Sequence, residues 1–178
     1  MRTQVIDDLQ FRGMAALFQI RDILRPRLPI LHEARLCRGD TVLDFGCGPG
    51  SYSLLAAEIV GPKGRVYALD RQPLAIERVA QTTLRRGLAN LYTIQSDCRT
   101  GLMCETVDVV LLYDIFHMLE HPQAVLQELH RVLKPGGRLS VNDHHLQGTQ
   151  IVAGITQAAP FQLVEMGHAT YGFVPKKA

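Results

Sequence analysis

Short apolar, β-branched runs alternate with longer stretches of helical periodicity from Thr41 onward. The runs that predict strands span residues 41–45, 65–70, 91–97, 107–114 and 138–143. They are continuously apolar rather than alternating, which is typical of a sheet that is buried on both faces. Their alternation with helices predicts a mainly parallel sheet in which crossover helices join successive strands.

The stretches between these runs predict the crossover helices, because their apolar residues recur about one turn apart. Two helices are predicted over 51–60 and 73–86, and a third by the apolar stripe between residues 125 and 133. Pro122 suits the first turn of this third helix. The sequence KPGG at 134–137 predicts its end, since proline cannot continue a helix and glycine accepts the left-handed conformation.

Both ends of the chain extend this core. Residues 149–159 predict a helix, and FQLVEMGHA and TYGFV predict two strands joined too closely for a crossover, so these strands must be antiparallel. The first forty residues predict one or two amphipathic helices, interrupted at Pro26 and Pro29.

Composition narrows the functional classes. The 178 residues suit one domain, and 47% hydrophobic and 20% charged residues give the balance of a globular protein. The 19 Lys and Arg against 17 Asp and Glu leave a net charge of +2. This excess of positive charge is far smaller than a surface that binds the phosphate backbone of a nucleic acid normally needs, which argues against a nucleic-acid partner.

The compartment expected from the sequence is the cytoplasm. Asp7 and Asp8 precede any long apolar run, so the start of the chain lacks the form of a secretory signal. The chain has no uninterrupted apolar stretch of the length that a membrane span needs. The four cysteines form no C-x-x-C pair and no zinc-type spacing with histidine, so we expect reduced thiols and no metal site.

The segment TVLDFGCGPGSYS at 41–53 joins a predicted strand to a glycine-rich turn. Such a turn before a helix lets the backbone bend sharply and approach a ligand closely. The spacing of Gly46, Gly48 and Gly50 differs by one residue from the dinucleotide fingerprint G-x-G-x-x-G. Asp44 would repel a nearby pyrophosphate and attract the ammonium of an amino-acid-bearing cofactor. The turn therefore favours a cationic cofactor.

Five motifs in order carry a family resemblance: DFGCGPG, VYALD, QSDC, DVVLLYD and RVLKPGGRL. Over about residues 39–143 the chain resembles the class I S-adenosylmethionine-dependent methyltransferases, of the type 11 or 25 kind. The resemblance implies an α/β, Rossmann-like three-layer sandwich with N-terminal helices. Its seven-stranded sheet would be mostly parallel with an antiparallel last strand. The implied cofactor is S-adenosyl-L-methionine, which leaves S-adenosyl-L-homocysteine as product.

On this interpretation residues 1–178 form a single methyltransferase domain. Residues 1–38 would be an N-terminal helical lid that folds over the cofactor, 39–145 the cofactor-binding core, and 146–178 the C-terminal helix and antiparallel strands.

The resemblance also implies the residues that hold the cofactor. The glycine turn would hold the methionine moiety by its backbone, with Asp44 near the ammonium. Asp70 would bind the ribose hydroxyls, and Asp97 the adenine amino group. The full set is Asp44, Gly46, Cys47, Gly48, Tyr52, Asp70, Arg71, Asp97, Cys98 and Tyr113. The thiols of Cys47 and Cys98 are expected to be inert, since the implied contacts are made by backbone.

In an open α/β sheet the acceptor binds beyond the carboxyl ends of the strands. The candidate catalytic residues there are Asp114, His117 and His144, any of which could take a proton from a small-molecule methyl acceptor. Asp143 could instead be a satisfied turn carboxylate. Adjacent His144 and His145 cannot both point into one pocket if the strand continues, and their adjacency is poor metal-ligand geometry.

Two rival functions remain open from the sequence. In an NAD(P)-dependent oxidoreductase, Asp70 would also bind ribose, and Arg71 could pair with a 2′-phosphate. A protein that binds S-adenosylmethionine without catalysing methyl transfer would have the same glycine-rich turn after the first strand. The segment YDIFH lacks the Asn/Asp-Pro-Pro-aromatic pattern expected for methylation of base amino groups. A monomer or a homodimer is expected.

Overall fold

The computed structural model describes residues 27–176; the predictions for residues 1–26 and 177–178 lie outside this range. The strands are β1 Thr41–Phe45, β2 Arg65–Asp70, β3 Leu91–Gln95, β4 Val107–Tyr113, β5 Leu133–Asn142, β6 Phe161–Met166 and β7 Tyr171–Pro175. The helices are α1 Leu28–Glu33, α2 Ser51–Val60, α3 Pro73–Arg86, α4 Pro122–Val132 and α5 Gly148–Ala158, with a 3-10 helix at Phe116–Met118.

The strands form one seven-stranded sheet in the order β3-β2-β1-β4-β5-β7-β6. The first five strands run parallel, and β7 is antiparallel to both β5 and β6. The strand order reverses between β1 and β4, which is where open α/β sheets bind ligands. The predicted fold class is confirmed, including the antiparallel strand at the end of the chain.

Apolar cores cover both faces of the sheet, which explains the continuously apolar strands. On β4, Val110 and Leu112 pack with residues of α4 and α5, such as Leu126. Val109 and Leu111 face the opposite core, which contains Val60 of α2 and Val79 of α3. Neighbouring residues of a strand point to opposite faces, so a strand covered by helices on both sides needs apolar residues at every position.

Several predicted boundaries shift, among them the ends of β3, β4 and β5 and the junction of α4 with β5. β3 ends at Gln95 and β4 at Tyr113, so Asp97 and Asp114 belong to loops rather than strands. The helical stripe was predicted to include Leu133, which instead begins β5 directly after α4. Leu133 takes extended dihedrals and pairs with Val107, because this pairing buries its side chain in the sheet.

The described part of the predicted lid is α1, whose first turn contains Pro29. Glu33 at its end accepts backbone hydrogen bonds from His168, Ala169 and Thr170, at 3.1, 3.1 and 2.9 Å. These residues form the turn between β6 and β7, beside the carboxyl end of β5. Helix α1 therefore lies at the edge of the sheet where ligands are expected. Within residues 27–176, no helix has the length and apolar character to cross a membrane.

Candidate active site

The loop after β1 requires glycine at its bends. Gly46, Gly48 and Gly50 take left-handed φ angles of +80°, +52° and +89°, a conformation that glycine adopts at no steric cost. A Cβ at Gly46 would lie 2.8 Å from Cγ1 of Ile115, and one at Gly50 would lie 2.7 Å from Cγ2 of Val79. A Cβ at Gly48 would meet nothing within 4 Å. The loop is thus closely packed at Gly46 and at Gly50, whereas Gly48 between them faces open space.

The backbone N–H groups in the middle of this loop are already occupied. Those of Gly46 and Cys47 both donate to the carbonyl oxygen of Leu69, at 2.8 and 2.9 Å. That of Gly48 donates to Asp70 Oδ2 at 2.8 Å. A phosphate-binding loop needs such N–H groups free to point at the anion. In this loop they hold β1 to β2 instead.

A cavity of about 310 Å³ opens beside this loop, between the carboxyl ends of β1, β2, β3 and β4. Every predicted cofactor residue except Asp44 lines it: Gly46, Cys47, Gly48, Tyr52, Asp70, Arg71, Asp97, Cys98 and Tyr113. The catalytic candidate Asp114 lines it as well. Segments that are far apart in sequence thus converge on one site.

Asp44 lies behind the loop rather than in the cavity lining. It is 2% exposed and accepts a hydrogen bond from Ser53 Oγ, in the first turn of α2, at 2.5 Å. Burial raises the pKa of Asp44 to about 6, and the hydrogen bonds from Ser53 oppose that rise. Direct contact with a cofactor ammonium would need the loop to open, whereas the charge of the carboxylate still acts through the loop.

Asp70 is positioned at the end of β2 by two backbone groups. Oδ2 accepts from Gly48, and Oδ1 accepts from the N–H of Gln72 at 2.9 Å. Burial raises the pKa of Asp70 above its ordinary value, opposed by these hydrogen bonds. The next residue, Arg71, reaches across the cavity mouth to Glu120, 3.4 Å from Nη1 to Oε1.

The cavity wall near β4 is aromatic. The rings of Tyr52 and Tyr113 meet edge to face with centroids 4.7 Å apart. Arg27, just before α1, donates from Nη1 to the Tyr52 hydroxyl at 2.5 Å. Burial raises the pKa of Tyr113, whose hydroxyl lies 2.8 Å from Ser140 Oγ, so its phenol stays neutral.

Both predicted cofactor cysteines remain thiols. Burial, together with the nearby carboxylates Asp44 and Asp70, raises the pKa of Cys47 far above its ordinary value. Burial also raises the pKa of Cys98, with Glu128 and Asp97 adding to the effect. Because the thiolate is the reactive form, these side chains contribute shape rather than chemistry.

Asp114 connects the cavity to a histidine cluster. It takes a left-handed φ of +54°, which is uncommon for a residue with a side chain. Its Oδ1 lies 2.7 Å from Nδ1 of His144, whose side chain is 49% exposed. The left-handed turn re-aims the chain after β4 and brings the carboxylate against the loop that follows β5.

A second carboxylate and imidazole pair lies beside the first. Nδ1 of His117 is 2.9 Å from Oδ2 of Asp143, whose side chain is fully buried. The ring of His145 lies between the two paired histidines, 4.2 Å from that of His117 and 3.9 Å from that of His144, centroid to centroid. The paired histidines lie outside the cavity lining, although Asp114, the partner of His144, is part of it.

Sequence reasoning missed parts of this cluster. Asp143 is a turn carboxylate, and it also holds the ring of His117. His145 joins His144 on one side of the chain because β5 ends at Asn142, where strand alternation stops. His121, which lines the cavity, carried no signal apart from its place before α4. Within residues 27–176, no group of three or more His, Cys, Asp or Glu side chains is arranged to hold a metal ion.

Comparison with known proteins identifies the fold and its family. Residues 36–170 match the protein family described as "Methyltransferase domain". The chain belongs to the family of class I S-adenosylmethionine-dependent methyltransferase domains. The resemblance predicted from the five sequence motifs is thereby confirmed.

The methyltransferase domain has relatives with different acceptors. It is 30% identical over 129 residues to "Arsenite methyltransferase" of Halobacterium salinarum, covering 72% of this chain and 30% of that protein. It is 30% identical over 125 residues to "Demethylmenaquinone methyltransferase" of Geobacillus stearothermophilus, covering 70% of this chain and 53% of that protein. The chain thus spans about a third to a half of the length of these relatives.

A solved structure matches the methyltransferase domain over most of its length. It is a SAM-dependent methyltransferase from Aquifex aeolicus, 29% identical, with a TM-score of 0.72. The match covers 87% of this chain and 95% of the other.

Proposed function

We propose that this protein is an S-adenosylmethionine-dependent methyltransferase that acts on a small-molecule acceptor. The observation that carries the proposal is the internal use of the loop N–H groups of Gly46, Cys47 and Gly48. A dinucleotide pyrophosphate would find no free donors at these positions, and the buried Asp44 would repel it. A cofactor with an ammonium and a sulfonium group is attracted by the same carboxylate.

The lining of the cavity supports one orientation of the cofactor. Asp70 would accept hydrogen bonds from the ribose hydroxyls, as carboxylates at the end of the second strand do in related folds. Asp97, which is exposed, would accept from the adenine amino group beside the backbone of Cys98. The methionine end would then lie between the glycine loop and Tyr113, with Tyr52 beneath it.

The three-part division of the domain is also a proposal. Residues 39–145 form the cofactor-binding core and residues 146–178 its C-terminal extension. Residues 1–38 form a lid, which two contacts of its last part support. Arg27 donates to the cavity residue Tyr52, and Glu33 binds the turn after β6. The contact of Arg27 lies at the start of α1 and that of Glu33 at its end, and together they hold α1 beside the cavity.

For methyl transfer, this chain has to supply mainly the alignment of the two reactants and the exclusion of water from them. When bound, S-adenosylmethionine would supply a methyl group already activated on its sulfonium sulfur. The residues of the cavity hold the reactants in line, which is worth several orders of magnitude in rate. Asp114, His117 and His144 lie at the ends of β4 and β5, where an acceptor would meet them and lose a proton.

A methyl-donor assay tests this function. The protein is incubated with S-adenosylmethionine carrying a labelled methyl group and with panels of phenols, thiols, amines and carboxylates. Transfer of label to one class, lowered in His117→Asn, supports the proposal. Label that stays on the donor with every panel, while S-adenosylhomocysteine still binds, would favour a protein that binds the cofactor without turnover.

A further inference from the structure

Asp143 holds His117 from two directions at once. Its Oδ2 accepts the backbone N–H of His117 at 3.0 Å and lies 2.9 Å from Nδ1 of the same residue. Its Oδ1 accepts the backbone N–H of His145 at 3.1 Å. The carboxylate therefore joins the 3-10 helix after β4 to the loop after β5 and fixes the orientation of the His117 ring.

These contacts determine which ring nitrogen of His117 carries the proton. An ionised carboxylate only accepts hydrogen bonds, and the hydrogen bonds from His117 and His145 lower the pKa of Asp143 against the opposing effect of its burial. Nδ1 of His117 must therefore be the donor. Nε2 is left with its lone pair, free to accept a proton. In the pairing of His144 with Asp114, Nδ1 of the histidine likewise faces a carboxylate oxygen, so Nδ1 is again the donor.

His117 lies beside the cavity, although its own ring is not part of the lining. Its neighbours Ile115 and Met118 both line the cavity, and its side chain is 23% exposed. The charged and titratable groups in contact with the histidine cluster, among residues 27–176, are Asp114 from the end of β4 and Asp143 from the end of β5. The ring of His145 separates the two pairs.

We propose that Asp143 is a positioning residue that holds His117 as the proton acceptor of the reaction, and that the methyl acceptor is a hydroxyl or thiol compound that arrives protonated. This inference rests on the proposed methyltransferase function and narrows its substrate class. An acceptor that arrives as an anion, or as an unprotonated tertiary amine, would have no proton for this imidazole to take.

The step balances in atoms and charge. The acceptor's oxygen or sulfur forms a bond to the methyl carbon while the bond from that carbon to the sulfonium sulfur breaks. The acceptor's proton passes to Nε2 of His117. The imidazolium of His117, paired with Asp143, would carry the positive charge brought by the sulfonium until solvent takes the proton, and S-adenosylhomocysteine would be the other product.

The first test is spectroscopic and needs no acceptor. Long-range 1H–15N spectra of the labelled protein identify which nitrogen of each imidazole is protonated, and His117→Asn assigns the His117 signals by their loss. We expect the Nδ1–H form for His117 in the unaltered protein and a mixture of both forms in Asp143→Asn. The Nε2–H form in the unaltered protein would overturn the inference, whether or not Asp143→Asn folds.

The second test is kinetic and uses matched acceptors: phenol and benzyl mercaptan, which stay protonated at neutral pH, against phenylacetate and N,N-dimethylaniline, which carry no such proton at that pH. Turnover should be confined to the phenol and the thiol, and His117→Asn should lower kcat at least about 100-fold. Asp143→Asn should lower kcat with little change in KM for S-adenosylmethionine. Turnover of the carboxylate or the tertiary amine at a comparable rate would overturn the assignment.

Asp108→Asn is the matched control for the carboxylate. Asp108 also accepts a backbone N–H, from Thr41, and pairs with a side-chain cation, Lys134, but it lies at the opposite end of β4. The kcat of the Asp108→Asn variant should equal that of the unaltered protein. Failure of the proposed function itself would look different: either S-adenosylhomocysteine would not bind, or the methyl label would stay on the donor with every class of acceptor, amines and carboxylates included. If S-adenosylhomocysteine binds and no acceptor is turned over, the protonation state of His117 decides.

Discussion

The backbone N–H of Gly48 donates to Oδ2 of Asp70 at 2.8 Å, which fastens the middle of the glycine loop to the end of β2. The same carboxylate holds the N–H of Gln72 through its other oxygen. Asp70 therefore shapes the loop on one side and faces the cavity on the other. This double role links cofactor binding to the local stability of the loop.

Asp70→Asn should weaken both properties. The amide offers one acceptor oxygen for two N–H donors, so we expect the free energy of unfolding to fall by about 1–3 kcal/mol. S-adenosylhomocysteine should bind at least about tenfold more weakly, since one ribose contact is worth about 1.4 kcal/mol or more. Asp40→Asn is the control, because Asp40 also accepts a backbone N–H, from Cys37, outside the cavity. Equal affinity in both variants would contradict the ribose assignment.

Gly48→Ala separates backbone strain from cofactor binding when it is compared with Gly87→Ala. Both glycines have left-handed φ, +52° and +64°, and a Cβ at either would meet nothing within 4 Å. Each substitution should therefore lower the free energy of unfolding by about 1–2 kcal/mol in a urea titration. Only Gly48 lines the cavity, so only Gly48→Ala should lose affinity for S-adenosylhomocysteine. A comparable loss in Gly87→Ala would show that general destabilisation explains the effect.

Asp44 should make stability depend on pH. Its pKa of about 6 lies above the ordinary value, so the native state holds the proton more tightly than the unfolded state. The free energy of unfolding should accordingly fall as pH rises from about 4 to about 6, by about 3 kcal/mol from this group. Asp44→Asn does not titrate and should lose that slope in urea titrations at several pH values. Identical slopes in the two proteins would exclude a raised pKa.

Asp114 can be tested for strain and for chemistry with two substitutions. Asparagine tolerates the left-handed region much better than alanine does, and Asp114 has φ of +54°. Asp114→Ala should therefore be less stable than Asp114→Asn by about 1 kcal/mol. Both variants remove the cavity carboxylate beside His144, and both should transfer methyl groups more slowly than the unaltered protein. Retention of activity in Asp114→Asn would remove the carboxylate from the proposed chemistry.

Arg71 and Arg86 form comparable exposed ion pairs, with Glu120 at 3.4 Å and Glu58 at 3.2 Å. Such pairs contribute about 0–1 kcal/mol to stability. Arg71→Ala and Arg86→Ala should thus unfold at nearly the same urea concentration. Because Arg71 lines the cavity and Arg86 does not, only Arg71→Ala should change the affinity for S-adenosylhomocysteine, as calorimetric titration would show.

The fold and the cofactor cavity were predictable from the sequence because their signals are local. The glycine loop, Asp70 and Asp97 each follow an apolar run, and in a parallel sheet all these ends meet at one edge. The direction of β6 and β7 followed from the shortness of their connection. Boundaries were less certain, since Leu133 continues the helical stripe of α4 and only its pairing with Val107 places it in β5.

The histidine cluster was only partly predictable, because its contacts join residues distant in sequence. Asp143 and His117 lie 26 positions apart, and the length of β5 decides whether they meet. The burial of Asp44 behind the loop depends on Ser53, a residue that periodicity alone marks as part of a helix. The loop that follows a strand sets the direction of the side chains at its end. The periodic pattern of apolar residues in the sequence does not predict the conformation of that loop.

Calorimetric titration with S-adenosylhomocysteine, S-adenosylmethionine, NAD and NADP tests the central claim most directly. The buried Asp44 and the cavity lining with Asp70 predict saturable binding of the two adenosyl-sulfur compounds, weakened in Asp70→Asn and Gly48→Ala, whereas the occupied loop N–H groups leave no donors for a pyrophosphate. NAD and NADP should give no saturable heat. Saturable binding of NADP, with none of S-adenosylhomocysteine, would contradict the assignment of the cavity to a methyl donor.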